Sequence, residues 1–196
     1  MLLALAARLR GAEVQLVHGP LQVDPAWLDG LQCYAVETGQ QLQQALQQLQ
    51  PEADAIAMAA AVADHRLRAP FAHKPDKLAL AEALQTGWES VPDLLRELVE
   101  HQPQGQRILG FAAHSGDVLP QASAKFACKG CDLLFANPID QPGAGFGSAG
   151  NEGWLLGPGD TVTRLEPMGK LPLAHQLLTA LRPPGPLPTR RSAADP

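Results

Sequence analysis

The chain has 196 residues, of which 45% are hydrophobic and 18% charged, and its formal net charge is −5. That length suits one domain with a sizeable core. The acidic balance argues against a general nucleic-acid binder, and no apolar stretch reaches the roughly 18 residues that a membrane span needs.

The first segment, MLLALAARLRG, places Leu2, Leu3, Leu5, Ala6 and Leu9 at helical spacing, with Gly11 as a candidate C-cap. It is too short and too poor in basic residues at its start for a signal peptide, so a cytoplasmic location is expected. AEVQLV reads as a strand, HGP as a turn and CYAV as a second short strand. TGQQLQQALQQLQ carries Leu42, Ala45, Leu46 and Leu49 on one face, which predicts an amphipathic helix ended by Pro51. The run Ala55–Ala63 has no polar face and lies between Asp54 and Asp64. Its alanines suit a helix by propensity, but an all-apolar run of this length fits better a parallel strand buried on both sides.

RILGFAAH and CDLLFAN are further apolar runs that predict buried strands, with a helix over Asp117–Lys129 between them. WLLGPGDTVTRL predicts a hairpin turning at Gly-Pro-Gly-Asp. Lys170–Leu181 reads as the last helix, and residues 183–196, with neither periodicity nor apolar mass, as a disordered tail. Helices alternating with apolar strands predict an α/β fold, a Rossmann-like three-layer domain over residues 1–182 with a mostly parallel sheet and a C-terminal hairpin. Such sheets place ligands beyond the carboxyl ends of their strands.

That rule draws attention to the charged residues after Ala63, namely Asp64, Arg66, Arg68, Lys74 and Lys77. Asp64 would accept hydrogen bonds from a ligand, or serve as a turn aspartate. Lys74 and Lys77 flank Pro75 in a predicted loop, from which a lysine reaches a phosphate as a mobile point charge; the alternative is a solvated lysine. Lys125 and Lys129 stand four apart on one helix. Like charges at that spacing repel by about 0.2–0.5 kcal/mol, and a shared polyphosphate would reverse the sign; the alternative is a solvated face.

Several motifs lead nowhere. GFGSAG, Gly145 to Gly150, fits G-x-G-x-x-G but leads into a hairpin rather than a helix, which argues against a dinucleotide site. Cys128 and Cys131 form one C-x-x-C without the second ligand pair that zinc requires, so packed thiols are expected. The chain's three cysteines form no disulfide framework, and no G-x-S-x-G elbow supports hydrolase chemistry.

Taken in order, GAEVQLVHGP, AAAVADHR, HKPDKL, VPDLL, GFAAH, the helix with Lys125 and Lys129, DLLFANPI and GAGFGSAGNEGWLL resemble the phosphopantothenate–cysteine ligase domain of the bacterial bifunctional coenzyme A biosynthesis flavoprotein. AAAVAD, a lysine ten residues past its aspartate and GFAA are specific as a set. The resemblance implies a cytoplasmic, homodimeric ligase. It would activate 4′-phosphopantothenate with a nucleotide, usually CTP in bacteria, together with Mg2+, and pass the acyl-cytidylate to cysteine. No flavin is expected in this chain, and which residues hold the metal is left open. By the same resemblance Met58, Ala59, Ala60 and Asp64 form the nucleotide-binding strand end, and Lys74 is the catalytic loop lysine that also touches the nucleotide. Pro92, Asp93, Leu94 and Leu95 line base and ribose, Phe111 packs beside the nucleotide, and Lys125 and Lys129 hold the triphosphate.

This chain departs from the family pattern at His114, where an acid or amide often stands, and in a loop with fewer lysines. The family's first strand, its glycine-rich loop and an asparagine-containing segment that binds phosphopantothenate have no counterpart at the start, so the short chain is expected to be inactive alone. The rival readings are a nucleotide-binding or subunit-forming module without catalysis, and an NAD(P)-dependent reductase.

Overall fold

The structure is a computed structural model, which describes residues 1–140 and 149–182. GFGSAG therefore lies mostly outside the described residues, and the expected tail wholly so.

Helix α1 (Leu2–Leu9) leads to β1 (Gln15–His18) and β2 (Gln32–Ala35), and α2 (Gly39–Leu49) crosses to β3 (Ala55–Met58). A short arm comes next: β4 (His65–Leu67), α3 (Lys77–Thr86) and β5 (Trp88–Ser90). The rest alternates as α4 (Leu94–Glu100), β6 (Arg107–His114), α5 (Val118–Lys129) and β7 (Leu133–Pro138). The hairpin β8 (Gly150–Gly157) and β9 (Thr161–Gly169) then precedes α6 (Lys170–Leu181). The main sheet has the order β3-β6-β7-β8-β9, parallel through β7 and antiparallel in the hairpin. β1 and β2 form a separate parallel pair, and β4 and β5 a separate antiparallel one.

Alternation along the strands splits the core in two. Ile108, Ala112, Leu134 and Ala136 face α4 and α5, meeting Leu95, Leu98, Val118 and Ala122. Leu109, Leu133 and Phe135 face the other way, onto Leu173, Leu177 and Leu181 of α6, with Leu3 of α1 at the margin. This is the expected three-layer Rossmann-like α/β architecture.

Local chemistry explains several boundaries. Thr38 and Gln41 form a reciprocal capping box that starts α2: Gln41 N donates to Thr38 Oγ1 at 3.1 Å, and Thr38 N to Gln41 Oε1 at 3.1 Å. Pro51 sits in the tight turn that ends it. At the hairpin the backbone turns through Gly159 and Asp160, both with positive φ, and Asp is among the few residues that tolerate this without a glycine. Gln50, which pattern alone puts on a polar helix, is buried. Its Nε2 donates to the carbonyl of Leu98 at 2.6 Å, and Gln106 Nε2 donates back to the carbonyls of Gln50 and Ala53 at 2.8 and 2.6 Å. Each amide group thus meets backbone acceptors that would otherwise be stranded where α2, α4 and β6 converge.

Three expectations need correction. The run from Ala55 yields a parallel strand of only four residues, and it is not buried on both sides: Ala55 and Ala57 are exposed, Ile56 and Met58 half-buried. β3 is an edge of the main sheet, and the layer that covers its register neighbour Leu109 does not reach Ala57. Lys77 is not a loop residue but the first residue of α3, because Asp76 caps that helix by accepting from Ala79 N at 2.8 Å. Of the two clustered thiols only Cys131 is packed, with Sγ 3.2 Å from the Leu133 carbonyl, while Cys128 is exposed. Burial pushes the Cys131 thiol upward, which keeps it protonated and inert.

Candidate functional site

The site is organised around the carboxyl end of β3 and the helices beside it. After Met58 the chain runs through exposed Ala59, Ala60 and Ala61 to Val62, which packs near Gly39 at the first turn of α2 together with Val91. Asp64 is exposed, and its carbonyl accepts from Val91 N at 2.8 Å, tying the start of the arm to its return. Within the arm, Glu89 on β5 meets Arg66 on β4 at 2.7 Å and Arg68 at 4.0 Å. Part of the charge cluster beyond the apolar run is therefore a cross-strand pairing. Lys74 is exposed in the coil before α3 and makes no hydrogen bond or ion pair among the described residues.

Pro92 and Asp93 lead into α4. Asp93 caps it, accepting from Arg96 N at 3.2 Å through Oδ1, while Oδ2 receives Lys129 Nζ from the end of α5. Burial pulls the Asp93 carboxyl upward, but the bond from Lys129, the Arg96 amide and the two positive charges outweigh it. The net shift is below the usual carboxylate value. A carboxylate depressed in this way stabilises the fold fully at neutral pH, and that contribution is lost as pH falls through its lowered pKa. Lys125, one turn back on α5, is half-buried and unpaired among the described residues. So the α4 N-terminus, one neutralised lysine and one free lysine occupy neighbouring ground.

Gly110 shows how tightly α4 is held there. A Cβ at that position would lie 2.8 Å from Leu95 Cδ2 and 3.0 Å from Leu134 Cδ1. Strand β6 and the first turn of α4 are in direct contact because residue 110 has no side chain.

Not every expected residue joins this cluster. Leu94 and Leu95 are core residues, 4% and 8% exposed, so they can offer a ligand only backbone atoms. Phe111 packs edge-on to Phe135, with centroids 5.9 Å apart, in the layer beneath α6. The sheet thus separates Phe111 from Lys125 and Lys129. His114, the last residue of β6, lies at the strand end beside Lys125. Burial lowers its pKa, the Lys125 charge lowers it further, and Gln121 works in the opposite direction. The Asp93–Lys129 pair was not legible in the sequence, which showed only an aspartate before two leucines and a lysine 36 residues later.

Cation sites formed by three or more His, Cys, Asp or Glu side chains are absent among the described residues. No helix among them is long and apolar enough to cross a membrane.

Residues 1–183 match the family described as the DNA/pantothenate metabolism flavoprotein C-terminal domain. The Coenzyme A biosynthesis bifunctional protein CoaBC of Mycobacterium tuberculosis is 36% identical over 197 residues, an alignment covering 91% of this chain and 44% of the relative. Its namesake in Bacillus subtilis is 32% identical over 177 residues, covering 90% and 42%. This chain therefore spans less than half the length of these curated relatives. Among solved structures, the C-terminal domain of a Coenzyme A biosynthesis bifunctional protein CoaBC superposes with a TM-score of 0.71 at 25% identity, covering 91% of this chain and 78% of that one.

Proposed function

Because this chain belongs to the DNA/pantothenate metabolism flavoprotein C-terminal domain family, we propose that it is a phosphopantothenate–cysteine ligase of coenzyme A biosynthesis, working in the cytoplasm with CTP and Mg2+. The observation that carries this reading is the free Lys125 beside Lys129 at the α4 N-terminus, in a chain whose net charge is −5. A nucleoside triphosphate answers all three features. Its phosphates neutralise Lys125 and share Lys129 with Asp93, and the remaining backbone amides at the helix start suit its polar groups.

In the proposed reaction the carboxylate of 4′-phosphopantothenate attacks the α-phosphorus of CTP. The α–β anhydride bond breaks and pyrophosphate leaves. The amine of cysteine then attacks the acyl carbon, CMP departs, and the amine loses a proton as the amide forms. Negative charge accumulates in the first step, and lysines fixed beforehand lower its barrier. Mg2+ commonly binds through substrate phosphates and one or two carboxylates rather than a protein cage. Exposed Asp64 would help to hold the ion, which would offset the negative charge gathering on the phosphates. Lys74 would act when its loop closes.

The test is pyrophosphate release by the protein that carries this sequence. Release is expected to require both CTP and 4′-phosphopantothenate, with phosphopantothenoylcysteine appearing only when cysteine is added. Nucleotide binding without release would instead mark a non-catalytic module, and reduction of a nicotinamide cofactor would mark a reductase.

A homodimer is part of the proposal. The arm supports it: α3 buries none of its residues, and Phe71, Leu78, Leu84 and Trp88 are exposed. Two strands alone are marginally stable in water, so a second copy pairing at β4 or β5 would complete a four-stranded sheet. Sedimentation is expected to give twice the chain mass, and Leu84→Lys with Trp88→Lys to give the monomer. A wild-type monomer would refute the arm's role.

A further inference from the structure

We propose that His114 is a nucleotide-phosphate ligand of this site, and that it takes up a proton when a nucleoside triphosphate binds beside Lys125. The proposal rests on the nucleotide-binding reading above and extends it to a residue that the reading did not use.

His114 ends β6, at the carboxyl edge of the parallel strands where ligands of such sheets bind. Its carbonyl is already committed, accepting from Ile139 N at 3.0 Å. Its side chain is not: Nε2 is shielded from solvent and has no hydrogen-bond partner among the described residues. A shielded ring nitrogen without a partner is unfavourable unless something arrives to meet it.

The groups around the ring say what would. Lys125 and Gln121, both on α5, are the polar side chains that act on it. Its register partner on β7 is Pro138, which does not titrate. Asp140, just beyond β7, is held elsewhere and accepts from Gly116 N at 2.7 Å, while Asp117 heads α5. Gln121 Nε2 donates to the carbonyls of Ser115 and Asp117 at 2.8 and 3.0 Å, while the same side chain also acts on the ring and partly offsets the lysine by favouring the protonated form. Neither carboxylate is among the groups that act on the ring, so the imidazole answers chiefly to burial and to the Lys125 charge, and both disfavour its protonated form.

A phosphate placed against Lys125 changes that balance. It cancels the lysine charge at the ring and offers an acceptor to a protonated nitrogen. Both effects favour the imidazolium, and an opposite charge within about 4–6 Å moves a pKa by a unit or more. The linkage has a definite sign. With the pKa raised on binding, nucleotide affinity is greatest below the pKa of the empty site, declines as pH rises between the two values, and is flat above both. A rise of about one unit means about a tenfold change in affinity across that window.

The experiment is an NMR titration of the His114 ring against pH, in the empty protein and with saturating Mg2+–CTP, with His114→Gln identifying the resonance. The expected result has three parts: a pKa below the ordinary histidine value when empty, a rise of about one unit with nucleotide, and a pH dependence of CTP affinity that flattens in His114→Gln. Lys125→Gln is expected to raise the empty-site value, which tests the proximity without nucleotide. If CTP binds and the His114 pKa stays where it was, the inference is overturned and the nucleotide site stands. If CTP shifts no resonance and gives no heat, the nucleotide reading itself fails and takes the inference with it. If His114→Gln does not fold, the resonance that Lys125→Gln moves identifies the ring, and the wild-type titration still reads its pKa.

Discussion

Replacing Lys125 and Lys129 together by alanine is expected to weaken CTP binding by about 2–4 kcal/mol, because hydrogen bonds to charged groups contribute about 1.5–3 kcal/mol each and these two overlap on one ligand. At about 1.4 kcal/mol per decade this is a loss of roughly 30- to 1000-fold. The two lysines are not equivalent. Lys125 is half-buried and unpaired among the described residues, so Lys125→Ala is expected to cost affinity with little change in stability. Lys129 already neutralises Asp93 across the α4–α5 contact. Its removal strands a carboxylate that is 39% exposed, and partly exposed pairs are worth about 0.2–1 kcal/mol. Lys129→Ala should thus lower stability slightly as well as affinity. Calorimetry with CTP reads the first effect, and denaturant unfolding the second. Unchanged CTP affinity in the double variant would remove the lysines from the site.

Lys74→Gln is expected to lower turnover by about 100-fold or more, the scale of losing one preorganised charge at a developing anion, while the CTP dissociation constant moves only a few-fold. The reason is position. Lys74 is exposed in a coil between a three-residue strand and a helix that buries nothing, so it contributes only in a conformation where the arm has moved toward the nucleotide. A group engaged only in the transition state lowers kcat and kcat/KM together. Comparing steady-state rates with calorimetric affinity separates the cases. Matching losses in turnover and in CTP affinity would make Lys74 an ordinary nucleotide contact.

The parts of the fold that could be read in the sequence are those in which one periodicity dominates. Leu42, Ala45, Leu46 and Leu49 specify α2 whatever surrounds them, and RILGFAAH and DLLFAN are apolar on both faces because both faces meet helices. Ala55–Ala63 misled because alanine is small. An all-alanine face is compatible with a buried strand, yet it excludes little from water, and here it faces no helix. The arm escaped notice because its strands are three residues each, too short for alternation to register, and because its cross-strand pair of Arg66 and Glu89 is separated by 23 residues. For the same reason the site was legible as a set of residue types but not as a geometry. Nothing in the spacing of Asp93 and Lys129, or of Gln50 and Gln106, indicates that they touch; strand alternation puts Phe111 and His114 on opposite faces, but nothing in GFAAH indicates which of those faces meets the lysines.

The separation of β1–β2 from the main sheet bears on how the molecule comes apart. No ladder of backbone hydrogen bonds connects the two sheets among the described residues. The N-terminal segment is held instead by side chains. Leu3 of α1 lies against the α6 layer, while Arg10 donates to His175 Nδ1 at 3.1 Å and to Thr179 Oγ1 at 2.6 Å. Segments joined in this way open below the free energy of global unfolding. Amide protons of Leu16, Val17 and Cys33 should then exchange with solvent well before those of Leu109 and Phe135, through a partly open state that keeps the main sheet intact. A melting curve of this chain would record two cooperative units rather than one.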